Sequence, residues 1–204
     1  MSAPQPAPQP LMPPYCVKRD FLDEALVSEM LDWVEMKQAQ FVPTTVYQSV
    51  RPDMRRSLAL HDISPFKERL WQAVSPLQPE MVKGHYVQPF DPARVEVELV
   101  AHGDGAFFGR HIDTMTEGAP GLPGLYRLLS GVYYFHRMPK AFAGGCLRIY
   151  PIALDDGHVD IEPVHNTLVA FPSWAVHEVL PVSVPSRQFM DSRFAVNIWF
   201  YGRL

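Results

Sequence analysis

The chain has 204 residues, of which 47% are apolar and 20% charged. That is the balance of one globular domain, and it leaves no case for global disorder. A net charge of -4 gives no polyelectrolyte attraction to nucleic acid or to an anionic membrane. No run approaches the roughly 20 apolar residues that span a bilayer, and two distant cysteines, Cys16 and Cys146, exclude zinc-finger spacing and fit a reducing, cytoplasmic setting.

The opening MSAPQPAPQPLMPP alternates proline with small and polar residues, so residues 1–14 are expected to be a disordered tail and 15–204 one domain. It lacks the basic start and apolar centre of a signal peptide. A helix is predicted from about Asp23 to Gln38, capped by Asp23, with Leu26, Met30, Trp33 and Val34 at helical spacing. FVPTTVYQSVRPDMRRSLALHD then mixes β-branched residues and turn breakers, so short strands or a long loop should follow. Its arginines, Arg51, Arg55 and Arg56, are expected on a solvated face. A second helix is predicted from Ser64 as N-cap, with Pro65 in the first turn and Phe66, Leu70, Val74 and Leu77 on one stripe.

After Arg94 the chain becomes strand-rich: VEVELVA, LLSGVYYFH, CLRIYP, NTLVAF, VHEVLPV and RFAVNIWFY are short β-type runs between turn residues. Two helices leading into six or more short strands indicate helices packed on an antiparallel sandwich or open barrel.

Chemistry is carried first by GRHIDTMTEG. In a strand, residues i and i+2 share a face, so His111 and Asp113 would project into one volume. That volume could hold a metal, a substrate or only a buried polar pair. His177 lies in another apolar run 66 positions later (177 − 111). Two imidazoles and a carboxylate on one side of a metal leave the opposite side open, the ligand pattern of non-haem Fe(II) oxygenases. A keto-acid cosubstrate would also need a fixed cation for its distal carboxylate. In SRFAVNIWFYG, Arg193, Ala195, Asn197 and Trp199 share one strand face and Phe194, Val196, Ile198 and Phe200 the other.

These motifs together carry a resemblance. HID, RLLSGVYYF, GGCLRIYP, IEP, HEVLPVS and RFAVNIWFY, in that order over about residues 95–204, resemble the Fe(II)/2-oxoglutarate dioxygenases, most nearly their prolyl 4-hydroxylase branch. The resemblance implies a mainly β fold with flanking helices, a double-stranded β-helix or jelly roll. It implies His111, Asp113 and His177 as iron ligands, Arg193 and Tyr134 as partners of the 2-oxoglutarate C5 carboxylate, and Leu147, Asn197 and Trp199 as pocket residues. The cofactors implied are Fe(II), 2-oxoglutarate and O₂, with room for ascorbate.

The expected activity is hydroxylation of a C–H bond, foremost of a prolyl or other amino-acid residue in a protein or peptide. A small-molecule substrate and a non-catalytic jelly-roll binding module are the alternatives. No nucleic-acid or membrane partner is expected, and oligomeric state is not encoded legibly. The sequence departs from the family pattern twice. Family members commonly carry the basic residue about ten positions after the distal histidine, a place held here by Arg187, whereas Arg193 lies 16 positions on (193 − 177). Ala101 stands where relatives carry a tyrosine that reaches the pocket. The remaining histidines, His61, His85, His102, His136, His158 and His165, have no partner at ligand spacing and are expected to be surface or satisfied polar groups. The loop TMTEGAPGLPGLYR is expected to act as a substrate flap.

Overall fold

The computed structural model describes residues 11–46, 49–80, 90, 92, 94–114, 123–153 and 157–203. Residues 1–10 of the expected tail and 115–122 of the expected flap lie outside this set. The chain is already docked at Leu11, whose carbonyl accepts the Ile152 N–H at 2.9 Å, and Pro13 is buried.

In chain order the elements are β1 (Cys16–Arg19), α1 (Glu24–Met36), β2 (Val42–Pro43), β3 (Arg55–Arg56), β4 (Leu58–Leu60), α2 (Ser64–Val74), β5 (Arg94–His102) and β6 (Phe107–His111). They continue with β7 (Tyr126–Phe135), β8 (Ala143–Gly144), β9 (Leu147–Ile149), β10 (Val159–Ile161), β11 (Thr167–Pro172), β12 (His177–Val179), β13 (Val182–Ser183) and β14 (Arg193–Gly202). A larger sheet runs β1-β11-β7-β14-β5-β4-β2, and a smaller one β10-β9-β12-β6-β3. Every pairing is antiparallel, as the jelly roll requires.

The alternation expected of the last strand decides what each sheet face does. Phe194, Val196, Ile198 and Phe200 of β14 point to the helices, joined there by Leu99 and Ala101 of β5 and by Leu129, Tyr133 and Phe135 of β7. The opposite face of the same strands looks between the sheets, where Val100, Tyr134, Val169 and Ala195 pack with Leu147 and Ile149 of the smaller sheet. Ala101 therefore belongs to the helix-side core and has no bearing on the pocket.

Helix α1 buries Val27, Met30 and Val34 against the first face, and its Asp23 cap accepts the Ala25 N–H at 2.7 Å. Helix α2 buries the predicted stripe of Phe66, Leu70 and Val74, each worth roughly 1.5–3 kcal/mol of apolar burial. Its start differs from expectation, because Ser64 is the first helical residue. Asp62, two positions earlier, accepts both the Ser64 N–H at 3.3 Å and its hydroxyl at 2.7 Å, since a carboxylate is the better acceptor at the positive helix end.

Asn166, in the turn before β11, fastens α1 to the sheet. It sits at φ 51 and is 1% exposed. Its amide donates to the Leu22 carbonyl and to Glu24, both at 2.8 Å, and its oxygen accepts the Leu22 N–H at 2.9 Å and the Tyr133 hydroxyl at 3.0 Å. Asn166→Ala strands several buried groups at about 1–3 kcal/mol each. The expected loss in urea unfolding is about 3 kcal/mol, and a loss below about 0.5 kcal/mol would show that α1 is held by apolar contact alone.

Candidate active site

β6 and β12 lie side by side with His111 and His177 as direct register partners, which brings residues 66 apart in sequence (177 − 111) to a ring separation of 4.2 Å. Each imidazole places its Nδ1 against the carbonyl two residues earlier: His111 on Gly109 at 2.7 Å and His177 on Ala175 at 2.8 Å. A carbonyl only accepts, so both rings carry their proton on Nδ1 and turn the Nε2 lone pair toward Asp113. The two Nε2 atoms lie 3.7 Å from the two oxygens of that carboxylate.

Asp113 lies beyond the end of β6, so strand periodicity does not place it. Its N–H donates to the Ser173 carbonyl at 2.9 Å, and its Oδ2 accepts the Ser130 hydroxyl at 2.7 Å. The turn leaves Ile112 exposed and brings Asp113 back to the side of His111. Ligand atoms of His111, Asp113 and His177 all lie within 4.8 Å of one another, a group that can hold a metal ion.

Electrostatics match this. Burial, then the neighbouring His177, push His111 down to about 3 against the pull of Asp113, so its ring is neutral at pH 7. Burial pushes the Asp113 carboxyl up, but the two imidazoles, the Ser130 hydroxyl and Arg127 together hold it below its ordinary value. Neutral imidazole and ionised carboxylate are the forms that ligate divalent metals.

The expected pocket residues Leu147, Arg193, Asn197 and Trp199 line the same cavity as the triad. Arg193 is 1% exposed, with its guanidinium 4.7 Å over the ring of Tyr134, which is fully buried. Among the described residues, Nε and Nη2 of Arg193 and the Tyr134 hydroxyl have no well-formed hydrogen bond, the hydroxyl and the guanidinium lying close enough to interact with each other. A buried guanidinium without a counter-charge is costly, and its free donors can receive an anionic group. Arg187 is on the surface, 83% exposed and 3.5 Å from Asp104. Arg193 thus lines the cavity of the triad, and Arg187 lies on the surface.

Two glycines shape the arginine's seat. Gly144 and Gly145 have φ of 71° and 72°, backbone that other residues rarely adopt. A Cβ on Gly145 would come within 2.7 Å of Arg193 Cδ and 2.8 Å of Val182 Cγ2, and one on Gly144 would strike the Pro181 carbonyl.

Two residues of the cavity were expected elsewhere. Arg55 is 7% exposed, stacks on Phe108 and pairs with Glu98 at 2.8 Å, while Asn197 donates to the same carboxylate at 3.2 Å. Pairing of β3 with β6 turns Arg55 inward and leaves only Arg51 and Arg56 on the expected outer face. His102 is 3% exposed and lines the cavity next to Arg193. Of the others, His61 and His158 are exposed, His136 and His165 contact each other away from the triad, and His85 lies outside the described residues. Near the metal-ligand group, Arg127 lies 3.9 Å over the Trp199 ring and pairs with Glu96 at 3.1 Å.

A jelly roll holding two histidines and an aspartate around one point, with a buried arginine in the same cavity, has the architecture of the non-haem iron oxygenases that use a keto acid. Residues 97–201 match the 2OG-Fe(II) oxygenase superfamily, and the chain belongs to that family. The family is one of Fe(II)- and 2-oxoglutarate-dependent oxygenases.

An uncharacterized PKHD-type hydroxylase of Synechocystis sp. is 36% identical over 145 residues, which cover 68% of this chain and 45% of that protein. The chain thus spans less than half the length of this curated relative. In fold, a prolyl-4-hydroxylase of Pseudomonas putida superposes with a TM-score of 0.68 at 24% identity, covering 94% of each chain. A prolyl hydroxylase of Trichoplax adhaerens, solved with a hypoxia inducible factor peptide fragment, gives 0.69 at 20% identity, covering 92% of this chain and 83% of its own.

Proposed function

We propose that the chain hydroxylates a C–H bond of a prolyl or other amino-acid residue in a protein or peptide, coupled to conversion of 2-oxoglutarate to succinate and CO₂. The observation that carries this reading is the cavity shared by the His111, Asp113 and His177 group and the buried guanidinium of Arg193, which has no carboxylate partner among the described residues. His111, Asp113 and His177 hold Fe(II) in this reading, while Arg193 and Tyr134 hold the distal carboxylate of the cosubstrate. Bound Fe(II) supplies O₂ activation, which the side chains alone lack.

The residues of the chain do the positioning. The carbonyls of Gly109 and Ala175 fix both imidazole tautomers, and Ser130 orients Asp113. Leu147 and Trp199 wall the cavity against water, and Asn197 steadies the Glu98–Arg55 pair. The prolyl-hydroxylase folds, one of them solved with a peptide, support a peptide substrate. Two free cysteines support a reducing cytoplasm. Among the described residues no helix is long and apolar enough to cross a membrane.

A small-molecule substrate is the second reading. It is favoured by the similar fold of the epimerase SnoN from nogalamycin biosynthesis, with a TM-score of 0.64 at 13% identity. Succinate release with Fe(II), with and without ascorbate, separates the two when proline-containing peptides and free amino acids are offered in parallel. Peptide stimulation, with one oxygen gained by the peptide in mass spectrometry, is the expected result. Stimulation by free amino acids alone would replace it with the second reading, and iron binding with no turnover on any substrate would favour a binding module.

A further inference from the structure

The deep end of the cavity holds one more donor than Arg193 and Tyr134 account for. His102 ends β5 directly opposite Arg193 in register, and its Nδ1 lies 3.2 Å from the Arg193 Nη1. A guanidinium only donates, so Nδ1 is the acceptor and the proton of the neutral ring sits on Nε2. The ring stays neutral because burial, then the positive charges of Arg193 and Arg55, hold it well below the ordinary histidine range. That leaves an Nε2–H donor that is buried and, among the described residues, without a hydrogen-bond partner, as are Arg193 Nε and Nη2. Native proteins rarely leave buried polar groups unpaired, and three on two residues that line one cavity point to a missing acceptor rather than to separate defects.

We infer that His102 is a third donor to the distal carboxylate of the keto-acid cosubstrate, binding it through Nε2–H while Nδ1 holds the Arg193 fork in position. The inference rests on the cosubstrate pocket proposed above. Guanidinium, phenol hydroxyl and neutral imidazole together offer only donors to that end of the ligand and one net positive charge, which one carboxylate neutralises. The device selects keto acids that end in a carboxylate over those that end in a methyl group.

Three variants of the full chain separate the two nitrogens. In His102→Asn the side-chain oxygen stands near the Nδ1 position and keeps the acceptor; in His102→Gln the amide nitrogen stands near Nε2 and keeps the donor; His102→Leu keeps neither. Dissociation constants are measured by calorimetry on anaerobic, Fe(II)-loaded protein for 2-oxoglutarate and for 2-oxobutyrate, which lacks the distal carboxylate.

The expected result is a loss of roughly tenfold or more for 2-oxoglutarate in His102→Leu, a smaller loss in His102→Gln, and unchanged 2-oxobutyrate binding in both. In ¹⁵N NMR the His102 ring of the unsubstituted chain should show the Nε2–H tautomer. If His102→Leu binds 2-oxoglutarate normally while Arg193→Ala does not, the inference falls and the pocket reading stands. Normal binding in both would overturn the pocket reading itself. Equal losses for both keto acids in all three variants would reduce His102 to a structural residue and also defeat the inference.

Discussion

His177→Ala is expected to abolish Fe(II)-dependent turnover of 2-oxoglutarate while leaving the fold in place. The imidazole is one of three groups whose ligand atoms converge within 4.8 Å, and the remaining histidine and aspartate cannot complete a three-ligand face. Changes to the supports around a metal ligand already cost about 10- to 100-fold, so loss of the ligand itself should exceed about a hundred-fold in metal affinity and in rate. The backbone has independent reasons to stay, because β12 pairs on one side with β6 and on the other with β9. Equilibrium dialysis of iron, succinate release and circular dichroism read the three parts separately. A His177→Ala chain that consumes 2-oxoglutarate at the normal rate would refute the triad.

Arg193→Ala should produce the second large effect, on the affinity for 2-oxoglutarate. Removing the cationic partner of a buried carboxylate costs roughly 2–5 kcal/mol, or about thirty-fold to several thousand-fold in 2-oxoglutarate affinity. Without the cosubstrate, Arg193 is a buried charge with two unpaired guanidinium nitrogens, and burial depresses its pKa. Replacing it with Leu should therefore leave the ligand-free protein as stable as before, or more so, while removing the stabilisation that 2-oxoglutarate confers. Thermal melts with and without the keto acid give both quantities. Arg187→Ala, at an exposed side chain paired with Asp104, should change affinity less than about twofold. A large loss there with a near-normal Arg193→Ala would assign the cosubstrate to the wrong arginine.

Much of this site is legible in the sequence because strand periodicity is a strong constraint. Once RFAVNIWFY is a strand with Phe194, Val196, Ile198 and Phe200 in the core, Arg193, Asn197 and Trp199 have only the other face to occupy. The helices are legible for the same reason, through the spacing of Met30 with Val34 and of Phe66 with Leu70 and Val74. What escapes is set by partners distant in sequence. Arg55 belongs to a two-residue strand whose inward turn exists only through pairing with β6. Leu99 and Ala101 face the helices and Val100 faces the smaller sheet, and continuing that alternation puts His102 on the face of Arg193, its register partner. The spacing of His102 from the metal-ligand residues gives no sign of its place in the cavity. Asn166 carries no local signal at all, because its bonds reach Leu22 and Glu24 across more than 140 positions.

The paired glycines before β9 bear on how the protein tolerates variation. Neither contributes a side chain, and neither would be chosen as functional from its chemistry. Yet a single methyl at Gly145 intrudes on the stem of Arg193 and on Val182 at once, and one at Gly144 meets unyielding backbone. In a saturation mutagenesis screen scored by cosubstrate-dependent activity, these two positions should be as intolerant as the ionisable residues. The neighbouring exposed Lys140 and Ala141 should accept nearly any residue. The keto-acid seat is in this sense specified as much by atoms that are excluded as by the donors that line it, and drift among homologues should be blocked at the glycines before it reaches the arginine.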